Sequence, residues 1–110
     1  MCHIAPHKVL LEISIDAFRT SLTDDAILLD CRIAQEYEEG HLENAILFPL
    51  QHVSVRLQEL EPYRNAPIYI YCNSGNRSGT FAMYLRSLGF SKSQSITGGI
   101  ETWGETIESC

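Results

Sequence analysis

Basic residues are scarce in this chain of 110 residues: eight Lys plus Arg stand against fourteen Asp plus Glu, a formal net charge of -6. That balance argues against nucleic acid or an anionic membrane surface as a standing partner, so any anion site must be local. Long apolar runs are lacking as well, and none approaches the length needed to cross a bilayer. The opening Met-Cys-His-Ile-Ala-Pro-His-Lys lacks the charged-then-apolar layout of an export signal, which leaves the cytoplasm as the expected compartment. The four cysteines, Cys2, Cys31, Cys72 and Cys110, include no CxxC pair and form no Cys/His cluster at metal-ligand spacing, so no metal or other cofactor is expected. With no export signal and enough chain to bury a core unaided, they read as free thiols rather than a disulfide framework. His3 and His7 are separated by Pro6 near a terminus and read as a solvated tail. No repeat, linker or low-complexity segment divides the chain. The expectation is one domain over residues 1–110, and no heptad or long apolar stripe argues against a monomer.

What is present is an alternation of strand-type and helix-type runs. Val9 to Ile13 is a short apolar strand candidate, after which Ser14 is placed to cap a helix carrying Ile15, Phe18 and Leu22 on one face. Ala26 to Asp30 is a continuous apolar run ending in an acid, as expected of a strand covered on both faces. Ala45 to Phe48 is another, closed by Pro49; Val53, Leu57 and Leu60 then recur at helical spacing until Pro62. Pro67 to Tyr71 forms the next strand, followed by a helix with Phe81, Tyr84, Leu85 and Leu88 on one stripe and Gly89 at its end. Ser93 to Ile96 is a last short strand, before Gly98-Gly99 and a closing helix around Trp103. Such alternation predicts a parallel sheet with helices on both sides and a ligand site beyond the carboxyl ends of the strands.

Cys72 lies at one of those ends, in Tyr71-Cys72-Asn73-Ser74-Gly75-Asn76-Arg77-Ser78, and Asp30-Cys31-Arg32 lies at another. A thiol at the mouth of a helix N-terminus meets unpaired backbone N–H groups and the positive end of the helix dipole, both of which favour thiolate. The Arg77 guanidinium in the same loop acts in the same direction. The loop therefore reads as a nucleophile set against an anion-binding cradle.

Leu29-Asp30-Cys31-Arg32 with Glu36-Tyr37, Gly40-His41-Leu42, Ala45 and Pro49; Tyr71 to Ser78; Gly98-Gly99-Ile100; and Trp103 form four ordered motifs. By them the chain resembles the single-domain rhodanese family. The resemblance implies an α/β, rhodanese/Cdc25-like fold: a central five-stranded parallel sheet flanked by helices on both faces. It implies a thiosulfate or persulfide sulfurtransferase in which Cys72 carries the transferred sulfur as a persulfide, and in which Cys72 to Arg77 is the active-site loop. Loop length separates this from cysteine phosphatases and the Cdc25-like members of the fold, which place five residues between Cys and Arg. Here there are four, and the tighter ring of N–H donors suits a sulfane sulfur better than the three terminal oxygens of phosphate or arsenate.

The mechanism so implied is ping-pong. The Cys72 thiolate attacks the outer sulfur of the donor, sulfite leaves from thiosulfate, and the persulfide waits for a thiol such as thioredoxin or glutathione, or for cyanide. Catalytic roles fall on Cys72 and Arg77; Asn73, Ser74, Gly75, Asn76 and Ser78 line the loop, their N–H groups facing the charge. Arg77 has two candidate roles, bonding loop carbonyls or attracting the donor's sulfonate. Family members often carry Val-like residues at the place of Cys31, so a buried filler is the plain reading and a redox partner of Cys72 the sharper one. Asp30, Arg32, Glu36 and His41 read as residues that order the loops, Trp103 as core, and Asn44 as a left-handed turn residue. Two further classes stay open: a Cdc25-like phosphatase or arsenate reductase, and a non-catalytic or sulfur-carrying binding module.

Overall fold

The computed structural model describes residues 11–102 of the chain. Val9, Trp103, the terminal Cys2 and Cys110, His3 and His7 lie outside the described residues. The apolar runs become five strands, β1 Glu12–Ile13, β2 Ile27–Asp30, β3 Ile46–Leu47, β4 Ile68–Tyr71 and β5 Ser93–Ile96. All pair in parallel, in the order β1-β5-β4-β2-β3. The α-helices are α1 Ile15–Ser21, α2 Ala34–Glu39, α3 Val53–Arg56 and α4 Asn76–Ser87. The α/β class and five-stranded parallel sheet expected from the sequence are what the chain adopts.

Two apolar layers flank the sheet. On one face Phe81, Ala82 and Leu85 of α4 and Val53, Leu57 and Leu60 pack against Leu29, Ile68 and Ile70. On the other, Phe18 of α1, Tyr37 of α2 and Ile100 cover Leu28, Tyr69 and Tyr71. Because β2 and β4 are covered on both faces, their sequences run apolar instead of alternating, save for Asp30 at the end of β2.

Several local expectations are met and others corrected. Ser14 caps α1, its hydroxyl accepting from the Ala17 N–H at 3.1 Å. Asn44 sits at φ 68, the left-handed conformation that Asn tolerates. Leu22 does not join the buried face of α1: it follows the last helical residue and is 52% exposed. On α4, Tyr84 turns outward while Ser78 and Ala82 join Phe81 and Leu85 inside, because buried positions at a spacing of three and four residues run through 78, 81, 82 and 85. Pro62 does not end the helical pattern either. The chain tightens after Arg56 into 3-10 turns spanning Leu57–Tyr63, with Pro62 inside them.

The connection from β2 runs to β3 on one side, and that from β4 runs through α4 to β5 on the other. Between β2 and β4 the connections from the carboxyl ends diverge to opposite sides, the position where open α/β sheets bind ligands.

Candidate functional site

Both loops singled out in the sequence meet at that position. Cys72 follows β4, and its side chain is buried, 1% exposed, at the base of the loop. Gly75 sets the loop's shape: it precedes α4 with φ 104, a conformation costly for any residue with a Cβ, and an added Cβ would press on the Gly98 N at 3.3 Å. With the chain folded inward there, the Gly75 N–H donates to Cys72 Sγ at 3.0 Å and the Ser78 N–H at 3.4 Å. The Ser78 hydroxyl is 3.5 Å from the same sulfur and 2.7 Å from the Ser95 hydroxyl. Behind the loop, Ile100 N–H donates to the Cys72 carbonyl at 2.8 Å, and Gly99 lies against the backbone of Cys72 and Asn73.

This shell decides the charge on Cys72. The Cys31 thiol donates to it, the Ser78 hydroxyl and the N–H groups of Ser78 and Gly75 add to that, and together they outweigh burial and bring the Cys72 thiol down to about 4. Cys31, fully buried, moves the other way: its hydrogen bond to Cys72, its burial and the negative charges of Cys72 and Asp30 hold it protonated. The pair is thus one thiolate and one thiol, with the charge on the sulfur that the loop's donors surround.

Arg77 is engaged by a carboxylate on a neighbouring helix. Its guanidinium forms a two-pronged pair with Glu36 of α2, Nη1 to Oε1 at 3.1 Å and Nη2 to Oε2 at 3.2 Å. The same carboxylate accepts from the Asn73 side-chain amide at 2.7 Å and from the Ile33 N–H at 3.0 Å. Glu36 therefore ties both flanks of the loop to α2, and its carboxyl is held below the usual range, chiefly by Arg77. Ser74 and Asn76 have exposed side chains on the rim, Asn73 and Arg77 are half-buried, and Ser78 is buried with Cys72.

Beneath the loop is a second ionic knot. Asp30, fully buried, accepts from the Arg32 guanidinium at 2.7 Å, the Arg32 N–H at 3.0 Å and the Tyr71 hydroxyl at 2.7 Å. Arg32 continues to the Gly40 carbonyl at 2.7 Å and to Asn73 Oδ1 at 3.3 Å. Tyr71 also accepts from the Leu42 N–H at 3.0 Å, and burial together with Asp30 keeps its phenol protonated. His41 stacks on Tyr37 with ring centroids 3.7 Å apart and lies 2.8 Å from the Tyr37 carbonyl through Nδ1. These residues order the loops, as their types and spacing suggested.

Ser95 and the strapping role of Glu36 were not singled out in the sequence. A signal for Ser95 existed: in β5 the alternation places Ser93 and Ser95 on one face, and polar residues buried in a central strand call for partners. Glu36 was read as a loop-ordering residue, but its partners Asn73 and Arg77, far along the chain, carried no signal. A groove lined by Phe18, Leu22, Asp24, Leu28 and Ile46 includes neither Cys72 nor any residue of its loop. Among the described residues, no group of His, Cys, Asp and Glu is arranged to hold a metal ion, and no helix is long and apolar enough to cross a membrane.

The profile of the rhodanese-like domain matches residues 14–106. A putative sulfur carrier protein of Bacillus subtilis, YrkF, is 37% identical over 84% of this chain, which spans half of that protein's length. The thiosulfate sulfurtransferase GlpE of Coxiella burnetii is 33% identical over 81% of each chain. Among solved structures, a rhodanese-like domain protein of Staphylococcus aureus superposes with a TM-score of 0.80 at 26% identity, covering 92% of this chain and 99% of the other.

Proposed function

Because the chain belongs to the rhodanese-like family, whose members here include sulfurtransferases, we propose that it moves a sulfane sulfur from thiosulfate or a persulfide donor to a thiol or cyanide acceptor through a Cys72 persulfide. The observation that carries this reading is the environment of Cys72 Sγ: a buried thiolate at a strand end, with the N–H groups of Gly75 and Ser78 directed at it inside a loop of four residues before Arg77. The thiolate attacks the donor's outer sulfur; sulfite departs from thiosulfate with the bonding pair, and the outer sulfur stays on Cys72 as Cys72–S–S⁻. The loop's N–H donors, preorganised before the donor arrives, stabilise that new charge without reorganising. An acceptor thiolate then takes the outer sulfur, and the Cys72 thiolate returns.

Arg77 contributes by position. Held by Glu36, it fixes the loop from Asn73 to Arg77 and adds little uncompensated positive charge, so a dianionic donor is drawn only modestly. That compensation, with the short loop, also weighs against phosphate or arsenate as substrate. A purely binding role is disfavoured by the cost of burying a thiolate that does no chemistry. The protein is proposed to act as a cytoplasmic monomer, with thioredoxin or glutathione among the possible acceptors.

Intact-mass spectrometry of the reduced protein before and after brief exposure to thiosulfate, beside Cys72→Ser, tests the reading. The expected result is a gain of one sulfur on the wild type and none on the variant, with stoichiometric sulfite release. No gain with thiosulfate or with a small-molecule persulfide would overturn it.

A further inference from the structure

Cys31 has no part in the transfer just described, yet it is the side chain placed best to intervene in it. β2 and β4 are adjacent and parallel, paired through Leu29 with Ile70 and Asp30 with Tyr71, and the ladder continues with the Cys31 N–H donating to the Tyr71 carbonyl at 3.0 Å. One residue further, Cys31 and Cys72 stand side by side at the ends of the two strands. Side chains alternate between the faces of a sheet, so both cysteines share the face of Leu29 and Ile70, and both belong to that core layer. Neighbouring strands lie about 4.8 Å apart, within the roughly 4.4–6.8 Å between Cα atoms that a disulfide spans. Neither is in a disulfide, and they are 0% and 1% exposed. A small apolar filler would serve the packing here; only a thiol brings a second sulfur beside the first.

We propose that Cys31 is a resolving thiol for the Cys72 persulfide, giving the protein a second activity: reductive release of the bound sulfur as hydrosulfide when no external acceptor arrives. The proposal rests on the persulfide reading above. With the outer sulfur held among the N–H donors of the loop and Cys31 on the neighbouring strand, the inner sulfur, Cys72 Sγ, is the one within reach. Cys31 Sγ attacks it, the bond between Cys72 Sγ and the outer sulfur breaks, and the outer sulfur leaves with that electron pair and the Cys31 proton. The balance is Cys72–S–S⁻ plus Cys31–SH giving a Cys72–S–S–Cys31 disulfide plus HS⁻. The sulfane sulfur is reduced, the two cysteine sulfurs are oxidised, and no outside oxidant is needed. The disulfide then stops sulfur uptake until an external dithiol reductant reopens it, linking turnover to the supply of reduced thiols.

The test follows the sulfur after a single loading. Reduced wild type and Cys31→Val are each charged with thiosulfate under anaerobic conditions and freed of donor and sulfite. Samples are then quenched with alkylating reagent over time for intact mass, peptide mapping and hydrosulfide assay. The wild type should lose its added sulfur on the order of 10²-fold faster than Cys31→Val, as expected of a contact reaction within one molecule. It should release one hydrosulfide per persulfide, end two hydrogens lighter than the reduced protein, and yield a Cys31–Cys72 linked peptide. A persulfide equally long-lived in both proteins, with no such peptide in the wild type, overturns the proposal and leaves the transfer reading intact. A wild-type disulfide joining Cys2 or Cys110 overturns it as well. Absence of any sulfur gain on either protein, from thiosulfate and from a small persulfide, overturns both readings. The wild-type peptide map keeps the test decisive even if Cys31→Val folds poorly.

Discussion

Replacing Ser78 with Ala removes one hydrogen-bond donor from Cys72 while leaving the backbone donors in place. The Ser78 hydroxyl lies 3.5 Å from Sγ, 3.2 Å from the Gly75 carbonyl and 2.7 Å from the Ser95 hydroxyl. When Ser95 donates to Ser78, the single Ser78 proton is shared between the Gly75 carbonyl and the thiolate. A hydrogen bond to a charged group contributes about 1.5–3 kcal/mol, and this one, long and shared, belongs at the lower end. Divided by 1.36 kcal/mol per pH unit, that is a rise of about one unit. The Cys72 thiol, about 4 in the wild type, is thus expected one unit higher in Ser78→Ala. The assay is the pH dependence of Cys72 alkylation by iodoacetamide, read at the Cys72 peptide by mass spectrometry so that the other thiols do not contribute. The midpoint moves upward, because the lost interaction favoured the charged form. Ser95→Ala, which leaves the Ser78 proton without its relay, moves it in the same direction by less. A Ser78→Ala midpoint within about 0.3 unit of wild type would refute the view that the hydroxyl shares in holding the thiolate.

Asp30→Asn leaves the buried Arg32 guanidinium without its counter-charge and should cost about 3–5 kcal/mol, seen as a fall in Tm on the order of 10 °C by calorimetry. A loss under about 1 kcal/mol would show that the knot beneath the loop is not ionic in effect. Gly99→Ala sets a Cβ onto the Cys72 carbonyl oxygen at φ 57, so the loop must shift; the rate of sulfur uptake from thiosulfate should fall at least about 10-fold, and an unchanged rate would disprove that contact. Glu36→Gln frees the charge of Arg77, so the KM for thiosulfate should drop severalfold at low salt and return toward wild type as salt is added. A KM indifferent to the substitution at low salt would mean that Arg77 does not sense the donor.

Much of the fold was legible because its signals are local. Apolar runs of four or five residues bounded by Pro, Gly or Asp marked β2, β3 and β4, and the passage from Ile-Tyr-Ile-Tyr into Gly75 and a helical stripe marked the loop. Where a local pattern met a competing tertiary demand it misled. Leu22 kept the helical period past the end of α1, Tyr84 shared a stripe with Phe81 but had no sheet beneath it, and Pro62 fitted a tighter turn.

The sequence by itself determined the alternating α/β order, the candidate nucleophile Cys72 and the loop of four residues before Arg77. These are properties of neighbouring residues, set by backbone preference and spacing. Only the tertiary structure decided that Arg77 faces Glu36 instead of the loop carbonyls, that Ser95 supports Ser78, and that Cys31 stands beside Cys72 at the ends of paired strands. Each of those contacts joins residues 17 or more apart along the chain. They exist because strand order β5-β4-β2 brings three loops to one edge of the sheet, and strand order is fixed by packing both faces of the whole sheet at once, not by any segment within it.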